Sequence, residues 1–254
     1  MRTRSLLLAA LVLTAFIFRI HAQPGDTSVR DRATVQYRIG LDYLKTEAWD
    51  KAVAAFRSAI DIDQTFEMAY YGLGRAHMGQ KQYADAVAAL AKCRDLYAAH
   101  AGRRFSNAQD AQRQRRDQMM ELDEILRQYQ TGPQTVRSSE TVRQLTERRR
   151  LLQEAINRGT DLTIDNTVPA YVSLSLGSAY FRAERFADAE REYKATIAAD
   201  PKSGEAYSNL AVVYLYGGRY DEAEKAIAAA EKIGFKVNPN LKEDIRRKKA
   251  GGSS

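Results

Sequence analysis

The chain is similar to itself at a shift of 34 residues. At that shift Gly40 falls on Gly74, Trp49 on Tyr83, Ala52 on Ala86 and Ala59 on Cys93; further on, Gly177 falls on Ala211, Tyr180 on Tyr214, Phe186 on Tyr220 and Ala189 on Ala223. The two pairs share one register apart from a single residue, since Gly74 to Gly177 is 103 residues and three periods are 102. A fixed period of this length marks a stack of like units, in which each unit touches only its neighbours. An unrelated helical bundle has no reason to keep one. With 5 prolines and 15 glycines in 254 residues, and with Ala, Arg, Glu, Leu and Gln plentiful, helix breakers are scarce and the units are expected to be helical.

The recurring residues define the unit. A first helix carries Ile39-Gly40 with Tyr43, Tyr70 with Leu73-Gly74, Leu176-Gly177 with Tyr180, and Tyr207 with Leu210-Ala211 and Tyr214. A second helix carries an alanine and a bulky residue four later: Ala52 and Phe56, Ala86 and Leu90, Ala189 and Tyr193, Ala223 and Ile227. Small residues let the two helices approach, and the large ones fill the space between neighbouring units. Gly79, Gly217 and Gly218 sit in turns between helices, and Pro201 stops one helix after Asp200.

This pattern resembles the tetratricopeptide repeat over residues 33–100 and 170–234, two repeats in each block. It departs from the motif at Gln36 and Ser173, where a larger residue is usual, at His77 in an aromatic place, and at Gln64 in place of proline. The resemblance implies an all-α fold, an α-solenoid of helix-turn-helix repeats. It also implies a non-enzymatic protein-interaction scaffold whose first helices line a concave groove. By register the groove residues are Tyr37, Leu41, Leu44, Tyr71, Arg75, Met78, Leu174, Phe181, Asn209, Val212 and Tyr216. Asn209 matches the asparagine with which chaperone-binding members hold a terminal carboxylate. Tyr37 and Leu41, however, stand where that clamp has lysine and asparagine, which favours an apolar peptide or protein segment instead.

Residues 101–169 do not carry the motif. Met119, Leu122, Ile125, Leu126 and Tyr129 recur by three and four along one stretch, and Val142, Leu145, Leu152 and Ile156 along another, so two long helices are expected. Gly132-Pro133 would turn the chain between them, with Ser138 or Ser139 capping the second. The result is an antiparallel, coiled-coil-like hairpin with narrow apolar stripes, expected to project from the solenoid while its base joins repeats two and three. Residues 98–169 hold twelve Arg, no Lys and ten acids, which suits a solvated face laced with ion pairs or a site for an acidic partner. Whether the hairpin fills the groove or leaves it open is not decided by the sequence. Residues 235–250 are expected to form a capping helix through Leu241 and Ile245, followed by a flexible tail at 251–254.

At the other end, Arg2 and Arg4 precede an apolar run from Leu6 to Phe18, and Ala22 follows as a small residue. That order reads as a signal peptide over residues 1–22, with a linker at 23–32, and implies a periplasmic or secreted protein. The alternative is an uncleaved inner-membrane anchor, although the run is shorter than the roughly 20 residues a span needs. Removing residues 1–22 lowers the formal charge from +7 to +4, and the basic tail at 236–249 accounts for the remainder. No basic stripe is left for a nucleic-acid partner, and two apolar residues in the tail make membrane association a weak expectation. Cys93, the only cysteine, suits a small buried position. With no zinc spacing, phosphate loop or nucleophile elbow, no metal, cofactor or enzymatic activity is expected, and His77 reads as a packed histidine. The expected function is an exported adaptor, the alternative a self-assembling envelope protein. Cleavage is expected after Ala22, so Edman sequencing of the native protein should begin at Gln23; a chain retaining Met1 and released only by detergent would mean an anchor.

Overall fold

The computed structural model describes residues 29–100, 107–131, 136–159 and 168–251. Among these residues all regular structure is helical: α1 (Val29–Lys45), α2 (Trp49–Ile62), α3 (Glu67–Gly79), α4 (Tyr83–His100), α5 (Ala108–Thr131), α6 (Val136–Arg158), α7 (Ala170–Arg182), α8 (Phe186–Ala199), α9 (Gly204–Tyr216), α10 (Tyr220–Lys232) and α11 (Pro239–Gly251). The all-helical expectation holds. Helices α1/α2, α3/α4, α7/α8 and α9/α10 form four antiparallel pairs, and α2 packs on α3, α4 on α7 and α8 on α9.

Each pair is drawn together where a first-helix residue lacks or nearly lacks a side chain. A Cβ added at Gly40 would stand 2.6 Å from Phe56, one at Gly74 2.5 Å from Leu90, and one at Gly177 2.8 Å from Tyr193. The Phe56 ring also fills the next unit's approach, since a Cβ at Gly72 would lie 2.4 Å from it. The turns repeat as faithfully as the helices. Glu47, Lys81, Glu184 and Gly218 have φ of 54°, 61°, 59° and 69°, the left-handed conformation that ends a helix. The following amide then donates to the carbonyl five residues back: Ala48 to Tyr43 at 3.0 Å, and Gln82 to His77, Arg185 to Tyr180 and Arg219 to Tyr214 at 2.9 Å. Arg185 and Arg219 lay their guanidinium groups over the Tyr180 and Tyr214 rings, 4.6 and 4.3 Å from the centroids.

Because α4 packs directly on α7, residues 101–169 leave and rejoin an uninterrupted stack. Cys93 and Tyr97 of α4 bury against Val172 of α7. Beside them Arg94 Nη1 reaches Glu192 on α8 at 2.7 Å, and the Glu192 side chain is only 4% exposed. The excised segment forms α5 and α6, which pack on each other.

Several expectations need correction. Residues 29–32 are not linker, because α1 has begun by Val29 and Arg30 is fixed: its Nε lies 2.5 Å from Asp63, and its guanidinium sits 4.4 Å from the Phe66 ring centroid. Burial pushes the Asp63 carboxyl up, but hydrogen bonds from Thr65 and the Arg30 charge outweigh it and hold it below the usual carboxylate range. Ser138 and Ser139 lie inside α6, which already runs from Val136, rather than at its start. The hairpin does not simply project either: it leans over α1, where Arg38 Nη2 comes within 3.6 Å of Met120 Sδ. Gly251 belongs to α11. The signal segment, the Gly132-Pro133 turn and residues 252–254 lie outside the described residues.

The two edges of the stack differ. At the C-terminal edge Ile245 of α11 is fully buried, and Leu241 packs on the same core. Lys249 bridges to Asp221 at 2.6 Å and Glu224 at 2.7 Å on α10, and Lys242 pairs with Glu231. At the N-terminal edge Val35 and Ile39 are 56% and 39% exposed, whereas their counterparts one unit on or later, Ala69, Val172 and Leu176, are buried against the preceding unit.

Two outcomes follow from this packing. Gly177→Leu overfills the contact with Tyr193 and should cost roughly 1–3 kcal/mol, read as a lower Tm; an unchanged midpoint would place the register in error. Replacing residues 105–158 with a short flexible linker should leave a helical, cooperatively melting protein by circular dichroism, because the α4–α7 contact does not need the hairpin. Outright unfolding would make the hairpin part of the core.

Candidate protein-binding surface

A first helix projects one side into its own unit and another toward the inner surface of the stack, so register assigns direction but not depth. In the first unit depth decides the outcome. Tyr37, Leu41 and Leu44 are buried in the core around α2 and α3, with the Tyr37 ring 5.8 Å from Phe56 and 5.2 Å from Phe66. These three are therefore packing residues, of which Tyr37 and Leu41 show an edge to the inner side.

From the second unit on, the inner surface is more open. Tyr71 is half-buried, stacks edge-on to Tyr171 at 5.2 Å, and shares a hydrogen bond of 3.2 Å with the Ser175 hydroxyl, tying α3 to α7. Arg75 lies 5.9 Å from the Tyr71 ring centroid. Met78 and Leu174 are half-buried against the larger core. On α9, Asn209 and Val212 are half-buried. Phe181, Phe186 and Tyr216 form a triangle of rings with centroids 5.4 to 5.5 Å apart, and Tyr216 is 66% exposed. The structure thus packs Tyr71, Met78 and Leu174 against one core, sets Arg75 beside Tyr71, and groups Phe181 with Tyr216. Two aromatic members, Tyr171 and Phe186, were missed. Tyr171 is one helical turn before Leu174 and could have been reached by extending the same spacing; Phe186 belongs to a second helix, which the groove register does not sample.

The inner side of α1 faces the hairpin across a cleft of about 1010 Å³. One wall is the α1 face from Asp31 to Lys45; the other is α5 from Arg113 to Arg127, with Gln153 and Ile156 of α6. Below it Met119, Leu122 and Leu126 are buried. The sequence offered the arginine-rich hairpin, Arg113 and Arg116 included, as an ion-paired face or a site for an acidic partner, but nothing in the period relates the insertion to α1.

His77 is buried, with Nδ1 hydrogen-bonded to the side-chain oxygens of Gln82 at 2.8 Å and Gln80 at 3.0 Å. Burial pushes the Tyr193 hydroxyl up, leaving it a neutral donor to Ser178 Oγ at 3.4 Å. Among the described residues there is no group of three or more His, Cys, Asp or Glu side chains placed to hold a metal ion, and no helix long and apolar enough to cross a membrane.

Comparison with known proteins gives the class. Residues 37–101 and 174–234 match the tetratricopeptide repeat family, so both blocks are tetratricopeptide repeats, a fold of protein-interaction modules. Solved structures similar to the chain include YrrB, described as a TPR protein with an unusual peptide-binding site (16% identity, 85% of this chain and 92% of that one, TM-score 0.29). They also include PilW, a widely conserved type IV pilus biogenesis factor (13% identity, 86% of each chain, TM-score 0.40). A third is TTC0263, a TPR protein of Thermus thermophilus (19% identity, 85% of this chain and 98% of that one, TM-score 0.33). No curated protein matches the chain.

Proposed function

We propose that the protein is an exported, non-enzymatic adaptor that holds a segment of another protein against the inner surface of its repeats. The observation that carries this is the open aromatic triangle of Phe181, Phe186 and Tyr216. Large rings clustered at a surface, with one ring two-thirds exposed, are the kind of anchor around which protein interfaces concentrate their binding energy. Tyr71, Met78 and Leu174, half-buried against the same core as Phe181 and Phe186, add to the apolar character. The basic start and short apolar run of residues 2–18 support export of the mature chain.

A second reading, self-association, is favoured by Val35 and Ile39, exposed at a face that every later unit covers. One experiment separates the two. A photo-crosslinking residue placed at Tyr216, in the full chain expressed in its own host, should yield a discrete adduct with a different protein. The same residue at Lys248 should yield none, and the purified protein should sediment as a monomer. Absence of any Tyr216 adduct would remove the adaptor reading; an adduct at a multiple of the chain's own mass, with concentration-dependent sedimentation, would replace it with self-assembly.

A further inference from the structure

We propose that the cleft between α1 and the inserted hairpin binds an acidic protein segment that carries apolar side chains among its carboxylates. The proposal rests on the adaptor reading and gives the chemistry of one partner. Three guanidinium groups carry it. Arg38 on one wall and Arg113 and Arg116 on the other line the cleft, and none of them forms an ion pair with an acid among the described residues. The described acids that line the cleft are engaged: Asp42 with Lys45 at 2.9 Å, Asp123 with Arg149, and Asp31 with a partner in the chain. Among the described lining residues five cations, Arg38, Lys45, Arg113, Arg116 and Arg127, thus face three acids, although the body of the mature chain is neutral overall. Guanidinium groups at such a site recognise carboxylates with two parallel donors.

The remaining lining sets the partner's other property. Met119, Met120 and Ile156 of the hairpin and Leu41 of α1 reach the cleft, and methionine adapts its shape to varied apolar side chains. Asp31, Asp42 and Asp123 stand among the cations, where they would repel a continuous line of phosphates; a peptide can space its acids between them. Each wall, Asp31 to Lys45 and Arg113 to Arg127, rises about 21 Å along its helix, the reach of roughly six extended residues. The hairpin is then the second jaw of a composite site, and neither the repeats nor the insertion forms it alone.

The test uses a fluorescein-labelled decapeptide alternating glutamate with leucine and methionine, its lysine counterpart, and a 20-nucleotide single strand, each titrated by anisotropy into the full mature protein. The acidic peptide should bind saturably and more weakly as salt rises, while the lysine peptide and the oligonucleotide do not bind. Arg113→Glu with Arg116→Glu should weaken binding about tenfold or more with an unchanged circular dichroism spectrum. Arg38→Glu, on the opposite wall, should do the same, which guards against a local effect within the hairpin. No binding of the acidic peptide, equal binding of the lysine peptide, displacement by the oligonucleotide, or full affinity in both variants would each overturn the proposal. A Tyr216 crosslink that persists alongside any of these would leave the adaptor reading standing and remove only this site; loss of both would remove the two together.

Discussion

Everything in this architecture depends on helices meeting where one of them has no side chain. Gly40, Gly74 and Gly177 allow Phe56, Leu90 and Tyr193 to lie against bare backbone, and any added carbon would be well inside van der Waals contact. Close-packed interiors respond to a single methylene, so these contacts fix the angle within each pair and hence the direction in which the first helices line the inner surface. The contact is also shared between units. Phe56 touches the backbone at both Gly40 and Gly72, so the packing within the first unit and its junction with the second cannot vary independently.

The insertion is tolerated because the stack closes beneath it. At the junction of units two and three, Arg94 and Glu192 occupy register positions filled by Ile60 and Ala89, and by Ile197 and Ala226, at the neighbouring junctions. An ion pair there is a poor source of net stability, since both charges lose water. Its effect is selective instead: docking the two blocks in any other register would take Arg94 from the buried Glu192 carboxylate and leave it only the more distant Arg191, 3.8 Å away on its own helix. The place where chain continuity is broken by 69 residues is thus where an ion pair joins the two blocks.

The repeat fold was legible because its signal is local and recurs. The small-and-large pairs and the 34-residue period survive in four copies, so a lapse such as His77 in an aromatic slot does not erase the register. What could not be read depends on contacts without a period. Arg30 becomes helical structure rather than linker through Asp63, thirty-three residues away. No spacing encodes that the hairpin stands across a cleft from α1, with Met120 in reach of Arg38. Register also named Tyr37, Leu41 and Leu44 as groove residues without showing that the first unit would close over them, because angle around a helix says nothing about what stands opposite.

The unlike edges of the stack give it a direction of growth. At the C-terminal edge α11 seals the last unit with Ile245 and with lysines that reach the acids of α10, so a further repeat inserted there would first have to displace a fitted lid. At the N-terminal edge Val35 and Ile39 already present the surface that a preceding second helix would cover. A lineage carrying this fold can lengthen its array by duplication ahead of α1 without disturbing a single existing contact between units. Length in such a family is expected to vary at the front of the chain and to be held constant behind it.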